Sequence, residues 1–261
     1  MNPVHLVLLS IVQESVLPML QSQARVGWLG VDIISAFKST DLVGHACLIV
    51  LGMFSVISWA IIGYKFLHIY QATKQTDEFT ESCMGGGGSL DDAYKSAADY
   101  PDSPLALVLR EAYVEVQMEN WYKDDYGLDL NTRVDIAKVG TERVMERTIS
   151  GEISNLQSYL IFLATTAHVC PFIGLFGTVW GILGCFQSLG TQGASAVQAL
   201  GPGISTALST TVAGLVAAIP AVICYNYLTN KVQILISRMD SFALELSNII
   251  QKQLLKRGKK G

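Results

Sequence analysis

Apolar positions run in two long stretches that no charge interrupts. There is no Asp, Glu, Lys or Arg from Leu42 to Tyr64, and none from Ile153 to Asn230. A transmembrane helix needs roughly 20 predominantly apolar residues, so the first stretch holds one span and the second holds two with a turn between them. The turn falls at QSLGTQGASAVQALGPG, Gln187 to Gly203, which is rich in Gly, Gln and Ser. The pattern predicts spans at 42–64, 160–186 and 204–228, with the turn at 187–203. An unusually apolar soluble core is the alternative, and soluble helical pairs do not avoid charge for this long.

Outside the spans the period remains helical. The first span continues through YKFLHIYQATKQTDEF until GGGGS at 85–89 breaks it, and Ser89 followed by Asp92 reads as a capping box. Asp102-Ser103-Pro104 is a second helix start, with proline at the first helical position. The helix that follows, to about Trp121, keeps Leu105, Val108, Leu109, Ala112 and Val116 on one side. Another begins near Leu130, and with no strong breaker before the membrane it is expected to enter the second span as one rod. The third span runs on through KVQILISRMDSFALELSNIIQKQLL, with Val232, Leu235, Ile236, Met239, Phe242 and Leu246 on its apolar side. The expected fold is an all-α membrane protein, three transmembrane helices with long cytoplasmic helical extensions. Residues 1–41 form a periplasmic or interfacial segment, 65–159 a helical domain, and 229–261 a helical extension with a basic tail. Val4–Leu9, Val16–Leu20 and Val31–Phe37 suit short helices lying on the outer surface; a disordered lead-in is the alternative for the first twenty. No cleaved signal peptide is expected, because a basic n-region and a small-residue cleavage site are missing.

Basic residues set the orientation. The turn at 187–203 has none, 65–152 has nine, and the tail after Asn230 has seven, which places the domain and the C-terminus in the cytoplasm and the N-terminus in the periplasm. Half of all residues are apolar, 15 % are charged, and the mean hydropathy is +0.37. Seventeen acidic against nine basic residues in 65–152 argue against nucleic acid as a partner. The four histidines are scattered and the five cysteines lack metal or redox spacing. Nothing assembles a nucleophile, a base and an oxyanion site. The expectation is a non-enzyme without cofactor or metal, working in the lipid bilayer.

The distinctive residues lie in the last two spans. Gly174, Gly177, Gly181 and Gly184 share one narrow face at 100° per residue, although glycine costs a helix about 1 kcal/mol relative to alanine. Thr206, Thr210, Ala213, Ala217 and Ala221 form a matching stripe on the third span, with Gly214 beside it. Small faces let helices approach closely, the main attraction available in lipid, and packing alone explains most of these residues. Hydroxyls at Thr178, Ser205, Thr206, Ser209, Thr210 and Thr211 add a polar seam. Pro171 and Pro220 are expected to kink their helices and to free the carbonyls of Ala167 and Val216. The seam has no carboxylate, so a proton path needs a titrating group from another chain, or His168.

PFIGLFGTVWGI, ISTALSTTVAGLVAAIPAVICYN and FSVISWAIIGYKF resemble segments of the MotA/TolQ/ExbB proton-channel family, closest to its TolQ/ExbB branch, over residues 42–232. The resemblance implies a homopentameric ring around two ExbD/TolR-like single-span partners, each carrying a proton-binding aspartate. It further implies that the proton motive force is spent on outer-membrane work through a TonB- or TolA-like protein. It places Thr178 and Thr211 opposite the partner's aspartate; Thr206 and Thr210, from the hydroxyl seam, are expected on the same ion path. Two positions depart from the family. Thr206 stands where many members have glutamate, and His168 where a small Ser or Ala is usual; His168 is either an ion-path residue or a neutral imidazole bonded to a freed carbonyl. A structural scaffold without conduction, and a same-family motor with a motility client, remain the alternatives. A solute transporter is disfavoured by the lack of an inverted repeat.

Overall fold

The computed structural model describes residues 42–85, 90–119, 130–192 and 197–258. The interfacial helices expected before Asp41, the Ser89 cap and the last three residues of the basic tail lie outside the described residues. The described residues form six helices: α1 (Leu42–Gly85), α2 (Leu90–Ala97), α3 (Pro104–Glu119), α4 (Leu130–Gln157), α5 (Leu160–Gln192) and α6 (Val197–Gly258). Among the described residues there is no strand. Among the described residues three segments, within Leu42–Cys83, Val134–Gly190 and Leu200–Leu255, are long and apolar enough to cross a membrane. The all-helical membrane class is thus as the hydropathy predicts.

The chain divides into two compact units. One comprises residues 57–165 and 221–258, the part rich in charge. Its core draws Ile69, Ala72 and Phe79 from α1, Leu105, Val108, Leu109, Ala112 and Val116 from α3, Met145 and Ile149 from α4, and Val232, Leu235, Met239 and Leu246 from α6. Steps of three, four and seven residues recur through these sets, which is what a one-sided helix needs to bury a single stripe. The expected apolar side of α3 is buried in full.

The start of α3 follows its sequence signal. Ala106 N–H donates to Ser103 Oγ at 3.3 Å and Leu107 N–H to Ser103 O at 3.1 Å, so Ser103 caps the helix and Pro104 takes its first turn. The turn before it is tied to α1: Gln75 Nε2 donates to Asp102 Oδ2 and Asp102 N–H to Gln75 Oε1, both at 2.8 Å.

One expectation fails here. No continuous rod enters the second span, because α4 ends at Gln157 and the chain turns through Ser158 and Tyr159 before α5 begins. Tyr159 has φ of 64°, a left-handed conformation that costs a non-glycine residue about 1–2 kcal/mol. A lysine 90 residues earlier in the chain meets this break. The Lys65 ammonium, 1 % exposed, donates to Asn155 O at 2.9 Å, Leu156 O at 3.2 Å and Ser158 Oγ at 3.0 Å. A cation on the last carbonyls of α4 satisfies groups that a continuing helix would have bonded, and it meets the negative end of the helix dipole. The Tyr159 and Tyr64 rings flank it, at 5.8 Å and 5.9 Å.

Candidate ion route

The other unit comprises residues 42–56 and 166–220 among those described. Leu51 of α1, Cys170 of α5 and Ala217 and Ala218 of α6 form its buried centre, with Phe54, Ile173 and Ala213 packed around them. Pro171 in α5, and Pro202 and Pro220 in α6, are all accommodated inside unbroken helices.

Glycine sets how closely α5 and α6 approach. A Cβ on Gly174 would stand 2.9 Å from Thr210 O and 3.0 Å from the Thr211 Cα, and one on Gly214 would stand 2.6 Å from Cys170 O and 3.2 Å from the Gly174 Cα. These neighbours are main chain and cannot swing aside. A Cβ on Gly177 would meet Thr210 Oγ1 at 2.9 Å, and one on Gly181 the Ala207 Cβ at 2.7 Å. Gly184 differs, since a Cβ there would meet nothing within 4 Å. Three of the four stripe glycines therefore face α6 within the chain, and the fourth faces open space.

The close approach brings three hydroxyls onto two carbonyls. Thr178 Oγ1 lies 3.0 Å from both Gly174 O and Ala207 O, and 3.3 Å from Thr210 Oγ1. It is also hydrogen-bonded to Thr211 Oγ1 across the two helices. Thr210 Oγ1 reaches Ala207 O at 2.7 Å and Gly174 O at 3.2 Å, and Thr211 Oγ1 reaches Gly174 O at 3.3 Å. Thr178 and Thr210 are buried, whereas Thr211 is half-buried and has a side toward the surface. Thr206 is buried one turn before Thr210. His168 is exposed on α5, ten residues from Thr178, or about 15 Å along a helix.

Chemically, the cluster offers neutral donors and acceptors. It can solvate or orient a proton or hydrated ion inside a bilayer, where introducing a charged side chain costs about 2.5–3.5 kcal/mol. Among the described residues no three His, Cys, Asp or Glu side chains gather to hold a metal. Sequence reasoning overlooked the carbonyls of Gly174 and Ala207, and no side-chain signal could have marked them. It also overlooked Lys65, whose position just after a charge-free stretch was the available clue.

Residues 117–241 match the model of the MotA/TolQ/ExbB proton channel family. The Tol-Pal system protein TolQ of Pseudomonas aeruginosa is 33% identical over 222 residues, 84% of this chain and 93% of the relative. TolQ of Haemophilus influenzae is 33% identical over 85% of this chain and 95% of its own length. The biopolymer transport protein ExbB of Salmonella typhimurium is 30% identical over 75% of this chain and 77% of its own. Matches that span most of both chains, with the threonine cluster inside the family segment, lead to one assignment: the chain belongs to the MotA/TolQ/ExbB proton channel family, in its TolQ/ExbB branch.

Proposed function

We propose that the chain is the ring subunit of an inner-membrane motor driven by the proton motive force. Five copies surround two single-span partners of the ExbD/TolR type, and the work is delivered to outer-membrane processes, either TonB-dependent import or the Tol-Pal system. The N-terminus lies in the periplasm and the C-terminus in the cytoplasm, as the basic residues favour. The observation that supports this best is the hydrogen bond between Thr178 of α5 and Thr211 of α6, made inside segments without a charged residue. A titrating group must come from elsewhere, and a partner aspartate set against the half-buried Thr211 provides it. The driving force is ample, about 2.3 kcal/mol per charge per 100 mV.

Valine keeps the shape of threonine and removes its hydroxyl. Thr178→Val and Thr211→Val are expected to abolish proton-driven function while ring assembly persists. Normal energisation in both variants would mean that ions do not pass between these helices, and full function after collapse of the membrane potential would leave a structural scaffold as the role.

A further inference from the structure

Thr178 has more acceptors within reach than it has protons. Its single hydroxyl proton can go to Gly174 O or Ala207 O, both 3.0 Å away, or to either neighbouring threonine. Thr210 competes for one of these sites, since its own oxygen stands 2.7 Å from Ala207 O and farther, 3.2 Å, from Gly174 O. The shorter contact, three residues back on its own helix, is the better one.

A carbonyl oxygen accepts two hydrogen bonds, so with its helix's own N–H and Thr210 on Ala207 O that acceptor is filled. Two arrangements then link Thr178 to Thr211, and each uses every proton once. In the first, Thr211 donates to Thr178 and Thr178 to Gly174 O. In the second, Thr178 donates to Thr211, whose own proton goes to Gly174 O or outward. The two interconvert by hydroxyl rotation, which exchanges hydrogen bonds and breaks no covalent O–H bond. Burial orders the group in depth: Thr210 at 1 % exposure stands at the back, Thr178 at 6 % in the middle, and the half-buried Thr211 at the surface.

We propose that Thr210 is a positioning residue for the ion route. By occupying Ala207 O it keeps the Thr178 hydroxyl committed to the chain that ends at Thr211, the hydroxyl that meets the partner's carboxylate. This rests on the function proposed above. Removing the Thr210 hydroxyl frees Ala207 O, and the Thr178 proton gains a resting place that Thr211 does not share.

The test is proton uptake into vesicles holding the chain together with its single-span partner, read by an internal pH-sensitive dye. Thr210→Val is expected to lower uptake roughly two- to tenfold, the scale of one hydrogen-bond preference, with the ring intact, and Thr210→Ser to restore it. Serine rescue separates orientation of a proton from packing, because serine returns the hydroxyl without the methyl. Wild-type uptake in Thr210→Val, alongside loss in Thr178→Val, would overturn the role of Thr210 and leave the ion route standing. Wild-type uptake in Thr178→Val would remove the ion route and this role together. If the valine variant fails to assemble, Thr210→Ala deletes the same hydroxyl and is judged by the same outcomes.

Discussion

Replacing Lys65 by methionine keeps most of the buried stem and deletes the ammonium. Taken at face value the loss is large, because hydrogen bonds to a charged group contribute about 1.5–3 kcal/mol each, and this one makes three. Two effects reduce it. Burying an ammonium costs several kcal/mol, which methionine gives back. Asn155 O also keeps other donors, the Ser158 hydroxyl at 2.7 Å and the Ser158 N–H at 3.3 Å. Leu156 O has no second side-chain donor among the described residues, and one orphaned buried carbonyl costs about 1–3 kcal/mol. The expected destabilisation of Lys65→Met is therefore about 1–3 kcal/mol, not the sum of three charged bonds. At about 2–4 °C per kcal/mol for a chain of this size, the melting midpoint of the detergent-solubilised protein, followed by circular dichroism, should fall by about 2–12 °C. Ser158→Ala added to Lys65→Met should depart from the sum of the two single changes, since the two side chains bond each other at 3.0 Å and share Asn155 O. A midpoint unchanged or raised in Lys65→Met would refute the capping of α4. Strict additivity in the double variant would refute the shared acceptor.

Two further changes test the packing and the cap. Gly174→Ala pushes a methyl against main chain at 2.9–3.0 Å and should destabilise by about 1–3 kcal/mol. Gly184→Ala meets open space and should be neutral or stabilise by up to about 1 kcal/mol through helix propensity, so equal midpoints for the pair would contradict the helix contact. Ser103→Ala removes the α3 cap and the 3.2 Å contact with Thr76, and should cost about 0.5–2 kcal/mol; thermal melting checks it, and an unchanged midpoint would show that water replaces the hydroxyl.

What could be read from the chain, and what could not, follows the range of each interaction. The spans were legible because charge is excluded from lipid whatever the tertiary fold. The buried side of α3 was legible because one period fixes it, and its start because Ser103 and Pro104 act within a turn. The break at Ser158 and Tyr159 was not, since no glycine or proline marks it and the lysine that bonds the carbonyls beside it lies 90 residues earlier. Thr178 and Thr211 came forward through family resemblance, but their contact depends on how closely α5 and α6 cross. The glycine face announces closeness without fixing which hydroxyls meet. His168 drew attention by its type. Its angle, about 120° from Gly174 at 100° per residue, sets it off the glycine stripe, and the structure leaves it exposed.

The near contact of Gly174 with Gly214 has one more consequence. Where two helices are separated by side chains, a substitution can widen or narrow the gap between them. Here main chain lies against main chain, so the spacing of α5 and α6 at this level is fixed by the backbone and has no slack for side chains to adjust. Exchanges at positions 178, 210 and 211 can change what lines that gap but not how wide it is. If ions pass here as proposed, admitting a bulkier one would have to begin at the glycines, by forcing the helices apart, and would dismantle the hydroxyl contacts in the same step.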